Sequence, residues 1–264
     1  MADKPYPTDL TDQQWALIRP LLEHNHGQRG QQHYSLRRIV DGCFYVLRGG
    51  IPWRMMPHDL PPWEDVYYHL RTWRRKGTWE RINQVLRERH RVARGRKPQP
   101  TAAVIDSQSV KTTEAGGPRG YDGGKKVTGR KRHILVDTLG LLLNVVVHPA
   151  DIQDRDGARL VLDRRTRRRF PFIERIFADA NYQGPKLATA LATTGTWTIE
   201  IVKRNELHRF VVLPKRWIVE RTLAWISRCR RLTKDFERHA RKAAAFIRLA
   251  MIRLMLRRLT AASS

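Results

Sequence analysis

The chain has 264 residues and a formal net charge of +26, because 51 lysines and arginines face only 25 acidic residues. A charge of this size attracts polyanions, so nucleic acid is the expected partner, bound either by an enzyme or by a sequence-neutral coat protein. Hydrophobic residues make up 41% and include eight tryptophans, which excludes a disordered basic tail.

Cysteine and hydropathy patterns narrow the class further. The two cysteines show no CxxC spacing, which disfavours both a disulfide framework and a structural zinc site. No segment approaches the roughly 18 apolar residues of a membrane helix, and the N-terminus has no apolar signal-peptide region. We therefore expect a cytoplasmic protein without membrane contact.

Residues 1–94 show helical periodicity interrupted by turns. Thr11 and Gln14 predict a capping box at the first helix, Ser35 is expected to cap the second, and Thr78 to cap the fourth. The third helix is predicted to follow two consecutive prolines. These features indicate a small all-helical N-terminal domain.

The predicted helices carry basic side chains on their outer faces: Arg37, Arg38, Arg71, Arg74, Arg75 and Lys76. Such faces suit a helix-turn-helix-like DNA-binding domain over residues 1–94. A helical bundle whose charges are simply solvated fits the pattern equally well. Residues 95–100 are polar, include two prolines and predict a linker.

After the linker the period changes from helical to extended. Five short apolar runs predict strands at residues 102–106, 132–137, 141–147, 175–179 and 197–203. Helices are expected between the later strands, one over 157–167 capped by Asp156 and one from Gly184 through Leu191. This order predicts an α/β class with an RNase H-like mixed five-stranded sheet and flanking helices over residues 101–238.

The last part of the chain returns to helical spacing. Apolar residues from Ile218 to Phe236 predict one long amphipathic helix beginning near Pro214. Residues 239–264 are predicted to form a basic helical tail that packs on the catalytic domain.

Three carboxylates draw attention by their positions. Asp106 and Asp179 each close an apolar strand, so both are expected in one crevice at the strand ends, where they would repel unless cations lay between them. Such a pair suits two Mg²⁺ or Mn²⁺ ions in phosphoryl transfer. Each aspartate alone could instead be a turn or helix-cap residue. Glu220 alone could form a surface ion pair with Arg216 or Arg221.

The joint order of several motifs resembles the IS5-family transposases of the wider IS4-like group. The similar segments cover nearly the whole chain: PTDLTDQQWALIRPLL, RGGIPWRMMP, and residues 103–110, 123–140, 150–158, 177–184 and 213–237. The resemblance implies an RNase H-like domain in which Asp106, Asp179 and Glu220 are the catalytic and metal-binding triad. It further implies magnesium-dependent cleavage at insertion-sequence ends and transfer of the 3′-OH into target DNA.

Assembly and DNA contacts also follow from the resemblance. A family of this kind joins two ends of double-stranded DNA, so a homodimer or larger synaptic complex associated with the nucleoid is expected. Arg216 and Glu220 match the group's tyrosine, arginine, glutamate, lysine signature, whereas Leu213 and Ser227 occupy its tyrosine and lysine positions. Arg228, next to Ser227, is the predicted replacement phosphate contact.

A glycine-rich segment next to the first strands is predicted to be a flexible basic loop that contacts the DNA backbone. Its basic residues are Lys125, Lys126, Arg130, Lys131 and Arg132. With Arg216, Arg228 and Arg231 they form the predicted DNA-binding set. A merely solvated loop is the alternative.

Other polar residues are assigned simpler roles. Asp137 is predicted to shape the hairpin turn that follows it, and the carboxylates from Asp151 to Asp156 are interpreted as caps and turn formers. Tyr182 is disfavoured as a nucleophile because no arginine and histidine cluster assists it. Two rival functions remain open, an RNase H-like nuclease without joining activity and a non-catalytic DNA-binding protein.

Overall fold

The computed structural model describes residues 5–23, 34–195, 197–202 and 216–261. Its N-terminal part contains the four predicted helices, α1 (Asp12–Glu23), α2 (Leu36–Gly49), α3 (Trp63–Arg75) and α4 (Thr78–Ala93). A 3₁₀ turn at Trp53–Met55 lies between α2 and α3.

The predicted helix caps are largely confirmed. The hydroxyl of Thr11 accepts from the Gln14 amide at 3.2 Å, and Oε1 of Gln14 accepts from the Thr11 amide at 3.4 Å. Ser35 caps α2 by accepting from the Arg38 amide at 3.3 Å. At α4 the prediction was wrong by one residue, because Gly77 is the cap, with a φ of 70° that favours glycine, and Thr78 begins the helix.

In the described ranges the sheet has six strands, one more than predicted. They are β1 (Ala102–Lys111), β2 (Gly120–Asp122), β3 (Val127–Asp137), β4 (Leu142–Pro149), β5 (Arg175–Ala178) and β6 (Thr198–Ile201). β3 pairs antiparallel with β1 on one edge and with β4 and the short β2 on the other. β5 is parallel to both β1 and β6. The mixed RNase H-like sheet is thus confirmed, with β2 as an addition.

The later helices differ in detail from the prediction. The expected helix over 157–167 is two helices, α5 (Asp154–Val161) and α6 (Arg164–Arg169), and Asp163 caps the second. Helix α7 (Pro185–Ala192) follows the predicted glycine.

The long C-terminal amphipathic helix was a wrong prediction. Within the described residues, α8 (Arg216–Ser227) ends at Ser227, a 3₁₀ turn follows at Arg230–Leu232, and α9 (Ala240–Leu259) is separate.

The sheet separates two apolar cores. On one face Val104, Ile134 and Phe177 pack with residues of α1 to α4, α8 and α9. On the other face Ile105, Leu135 and Ile176 pack with residues of α5 and α7. Alternation along each strand assigns every side chain to one of these faces. Helix α9 packs on α4 as well as on β4, so the N-terminal helices and the sheet share one continuous core.

Candidate active site

Asp106 and Asp179 lie at neighbouring positions on the same face of the sheet. The parallel ladder between β1 and β5 ends with Val104 paired to Phe177, two residues before each aspartate. Since side chains alternate along a strand, the aspartates face the same side as Val104 and Phe177, toward the core that contains α8. Both line one small cavity.

The structure corrects the local setting of Asp106. β1 does not end there but continues to Lys111, and Asp106 pairs with Ile134 of β3. The neighbouring strand β5 is shorter and ends beside Asp106, so Asp106 lies next to the open edge that β5 leaves. The carboxylate of Asp106 accepts from the Ser107 amide at 2.7 Å.

Asp179 is held by the turn that follows β5. Its Oδ1 accepts from the Asn181 amide at 2.9 Å, which caps the 3₁₀ turn Ala180–Tyr182. Asp179 therefore has the capping role considered as an alternative, but its half-buried carboxylate also lines the cavity with Asp106.

Glu220 approaches the same face of the sheet from α8. This helix packs on β1 and β3. At its end, the Ser227 hydroxyl accepts a hydrogen bond from the side-chain amide of Gln108 at 3.3 Å. Gln108 lies two residues beyond Asp106 on the same side of β1. Glu220 is exposed and precedes Ser227 by seven residues, so the two share one face of the helix.

The three predicted carboxylates are not assembled into a closed metal site. Across the described ranges, no group of three or more histidine, cysteine, aspartate or glutamate side chains is spaced to hold a metal ion. The structure thus brings Asp106 and Asp179 together and puts Glu220 on the helix above them. Two carboxylates lining one cavity are a donor set that fits a hard divalent cation such as Mg²⁺.

A buried hydrogen-bond chain that the sequence did not reveal lies behind the aspartates, on the α5 face. The hydroxyl of Tyr182 lies 2.9 Å from Nε2 of His133, and Nδ1 of His133 lies 2.8 Å from Nε2 of His148. Nδ1 of His148 contacts the carbonyl of Pro149 at 2.8 Å. Because a carbonyl can only accept, the neutral His148 ring donates from Nδ1 to Pro149 and accepts at Nε2 from Nδ1 of His133. The neutral His133 ring therefore accepts at Nε2 from the Tyr182 hydroxyl.

Electrostatics keep this chain neutral. Burial, with the neighbouring His148 ring, lowers the pKa of His133 to about 3. Burial, together with the carboxylates of Asp106, Asp154 and Asp179, raises the pKa of the Tyr182 hydroxyl well above its ordinary value. Tyr182 is thus a buried hydrogen-bond donor close to the candidate site, not an activated nucleophile.

Asp154 joins this region from the start of α5. It accepts from the Ser107 hydroxyl at 2.7 Å and lies 3.1 Å from Nζ of Lys131. The sequence interpretation of Asp154 as a cap or turn former is wrong, because Gln153 is the cap of α5. Asp137, by contrast, has the predicted turn role, since it accepts from the amides of Leu139 and Leu141, both at 2.9 Å.

The predicted flexible basic loop is largely strand β3, which corrects that expectation. Arg130 is buried, donates to the carbonyls of Pro118 and Glu237, and pairs with Asp235. Buried Arg132 donates to the carbonyl of Leu232 at 2.6 Å.

Two further members of the predicted DNA-binding set are also buried. Lys131 donates to the carbonyl of Ile152 at 2.9 Å, and Arg231 pairs with Glu237 at 2.7 Å. Together with Arg130 and Arg132, these side chains connect segments of the fold, so they are not presented to a DNA backbone.

The remaining predicted DNA contacts lie at the surface or outside the description. Lys126 and Arg228 are exposed, and Lys125 is exposed although its Nζ donates to the Ser107 carbonyl at 3.2 Å. The side chain of Arg216 and all of Leu213 lie outside the described residues.

Comparison with known proteins agrees with this architecture. Residues 97–255 match the family described as the transposase DDE domain. The chain belongs to the DDE transposase family. Residues 10–83 match a second family, described as "putative transposase of IS4/5 family", so this family member is of the IS4/5 type.

Two relatives from Burkholderia cepacia belong to the insertion element IS402. An uncharacterized 16.2 kDa protein of that element is 30% identical over 40% of this chain and 76% of its own length. A "putative transposase" for the same element is 33% identical over 46% of this chain and 60% of its own length. No solved structure matches the chain. No helix in the described ranges has the length and apolarity needed to cross a membrane.

Proposed function

We propose that the protein is a metal-dependent DNA transposase that cuts insertion-sequence ends and joins the freed 3′-OH to target DNA. The observation that carries this proposal is the placement of Asp106 and Asp179 side by side at the sheet edge, with Glu220 on the helix that covers the same face. Family membership supports the transposase function.

In this proposal the three carboxylates hold divalent cations, Mg²⁺ or Mn²⁺, at the strand ends. When bound, two such ions activate the attacking oxygen and stabilise the leaving oxygen. Asp106 and Asp179 provide the fixed side of the site, because each is set by the end of the β1–β5 ladder. Glu220, on the helix that packs over the same face, is the third proposed ligand.

The chemistry proceeds in two in-line displacements. Water attacks the phosphorus at the element end, and the bond to the 3′ oxygen breaks and leaves a 3′-OH. That hydroxyl then attacks a target phosphodiester, so the number of phosphodiester bonds is conserved in the second step and no covalent protein intermediate is needed. Arg216, Arg228 and Lys126 are the proposed contacts to double-stranded DNA.

Joining two ends requires that both be held at once, so the working form is proposed to be a homodimer or larger synaptic complex on the nucleoid. Helices α1 to α4 are proposed to contribute a helix-turn-helix-like DNA contact. Arg71 and Arg75 are exposed on α3, whereas Arg37 pairs with Asp12 and Arg38 with Asp9, so α3 is the better candidate.

A strand-transfer assay tests the proposal. A labelled duplex taken from the DNA flanking the gene, with a pre-cut 3′-OH, is incubated with purified protein, plasmid and Mg²⁺. We expect labelled plasmid from the native chain and none from Asp106→Ala. Hydrolysis without joining would support the nuclease alternative, and binding without either reaction would support a non-catalytic DNA-binding protein.

A further inference from the structure

An arginine-lined groove lies on the face of the sheet opposite α8. It extends from Ile152, just before α5, along α5 and α6 to the end of α7, and its volume is about 730 Å³. Four arginines line it: Arg159, Arg164, Arg165 and Arg168. All four are exposed. We call this feature the arginine groove.

The arginines of α6 divide into two groups. Arg167 donates to the carbonyl of Ile173 at 2.6 Å, and Arg169 donates to the carbonyl of Glu80 at 2.9 Å, so these two fasten the helix to its surroundings. Arg164, Arg165 and Arg168 lie on another face, because residues three and four apart are neighbours on a helix. Those three line the groove.

The groove arginines have no counter-charge bonded to them. Within the described part of the chain, none of the four guanidinium groups forms a hydrogen bond or an ion pair. Two carboxylates, Asp156 and Asp163, also line the groove, so the four arginines leave it with an excess of positive charge. The carboxylate of Asp163 caps α6, where it accepts from the Thr166 amide at 2.8 Å. Unneutralised like charges on one helix repel, so an anionic ligand would relieve an existing cost.

The groove is rigidly built. The hydroxyl of Thr166 donates to the carbonyl of Val161 at 2.8 Å, and the amide of Asn144 on β4 donates to that same hydroxyl oxygen at 2.8 Å. These bonds join α5, α6 and the sheet. The arginines are therefore displayed on a preorganised surface and do not need to be ordered when a ligand binds.

We propose that the arginine groove binds the phosphate backbone of duplex DNA away from the reacting phosphodiester. The proposal rests on the proposed function, which supplies DNA as the partner. Guanidinium groups suit phosphate recognition, and an open groove with exposed charges suits a backbone better than a small molecule, which is usually enclosed by apolar walls.

The position of the groove separates it from the catalytic carboxylates. α5 begins at Asp154, next to Ser107, and Arg159 lies five residues further, about 7.5 Å along the helix axis. The groove reaches back to Ile152, but its four arginines lie in the second half of α5 and on α6, on the sheet face opposite α8. The DNA held there is a segment other than the one being cut.

The test is the salt dependence of duplex binding, measured by fluorescence anisotropy in EDTA so that no reaction occurs. The groove variant is Arg164→Ala/Arg165→Ala/Arg168→Ala. Each lost phosphate contact lowers the slope of log K against log salt by about 0.9, so we expect a slope about 2.7 shallower. Between 50 and 200 mM salt, native affinity should fall about 40-fold more than that of the variant.

Two matched proteins make the result specific. Arg96→Ala/Arg175→Ala/Arg257→Ala removes the same charge from exposed positions outside the groove and outside the proposed DNA contacts, and it should change the slope by less than about 0.9, the value for one phosphate contact. The lysine variant Arg164→Lys/Arg165→Lys/Arg168→Lys should recover most of the slope, because lysine also binds phosphate.

Specific outcomes would overturn the proposal. A native slope in the groove variant, or an equal change in the Arg96/Arg175/Arg257 control, would show that the groove does not contact duplex DNA. Tighter binding to single-stranded RNA or to an acidic peptide than to duplex would equally reject it. The melting temperature of each protein shows that it is folded, and Arg168→Ala alone should lose about one contact. If the native chain fails to transfer strands but the groove variant still has a shallower salt slope, the proposed function is rejected and the groove proposal is not.

Discussion

Charged side chains occur in two very different settings in this protein. Beyond the end of the β1–β5 ladder, Asp106 and Asp179 are half-buried and line a cavity. In the middle of β3, the strand that pairs with β1, Arg130 and Arg132 are fully buried. Both donate hydrogen bonds to main-chain carbonyls of residues 232–238. The first group lines a cavity, whereas the second binds main-chain carbonyls and holds segments of the fold together.

The comparison shows that charge and strand position together do not define function. Burial lowers the pKa of Arg132 to about 10, so this side chain still stays charged at neutral pH, and its hydrogen bonds offset part of the cost of burying it. Its role is to hold the segment between α8 and α9. Since Glu220 is on α8, the buried arginines act on the site only through the placement of that helix.

The largest expected effect is a loss of strand transfer on replacing Asp179, which lines the cavity, compared with replacing the buried Asp137. Asp179→Asn keeps an oxygen that can accept from the Asn181 amide but loses the negative charge, so cleavage and joining should fall about 10³-fold or more with little change in melting temperature. Gel assays of strand transfer together with thermal melts measure both quantities.

Asp137→Asn is the matched control. Asp137 is buried and lies 2.7 Å from the buried Arg91, so its loss leaves an unpaired guanidinium and should cost about 3 kcal/mol of stability. The folded fraction should still react at the native rate. A native melting temperature with abolished strand transfer in this variant would mean that the two settings do not differ as described.

The next effect concerns two cations from the segment predicted to bind DNA. Arg130→Met leaves Asp235 buried without its partner, and we expect a loss of about 3 to 5 kcal/mol in the free energy of unfolding by urea denaturation. The salt slope of duplex binding should not change.

Lys126→Asn should give the opposite result. Lys126 is exposed and has a φ of 52°, which asparagine tolerates, so stability should stay within about 0.5 kcal/mol. The salt slope should fall by about 0.9. Equal stability losses in the two variants would contradict the division between structural and DNA-contacting cations.

The basic residues of β3 show what the sequence could and could not predict. Apolar runs with regular period predicted most strands, both aspartates and the first helix caps. The basic half of β3 was taken for a loop because the acceptors of Arg130 and Arg132 lie about a hundred residues further along the chain, where no local pattern marks them. β2 was missed since Gly120–Asp122 has no apolar alternation.

The break after α8 was hidden for a similar reason. Cys229 and Leu232 keep the helical period of α8, and both are buried, but no glycine or proline marks the end of the helix at Ser227. The hydrogen-bond chain of His133, His148 and Tyr182 could not be predicted either. Its members are separated in sequence and are brought together by the folding of the sheet and the turn after β5.

A smaller effect is expected where the buried chain meets the open site. Tyr182→Phe removes the donor to His133 and loosens the turn that holds Asp179. Loss of a group that supports a metal ligand weakens metal affinity by about 10- to 100-fold. Titration of Mn²⁺ followed by electron paramagnetic resonance should show this shift, whereas Tyr121→Phe, at an exposed tyrosine, should bind Mn²⁺ normally. Unchanged Mn²⁺ affinity in Tyr182→Phe would remove Tyr182 from the support of the site.

The last effect is a pH dependence of stability that comes from a buried histidine. The pKa of His133 is about 3 in the folded chain, mainly because the ring is buried, against about 6.5 when unfolded. Below pH 6.5 the unfolded chain therefore takes up a proton that the folded chain cannot, and the free energy of unfolding falls as the pH falls. One such group contributes about 1.4 kcal/mol per pH unit between roughly pH 6 and 4. Urea denaturation across this range should give a shallower dependence for His133→Gln than for the native chain, and an equal dependence would place the proton elsewhere.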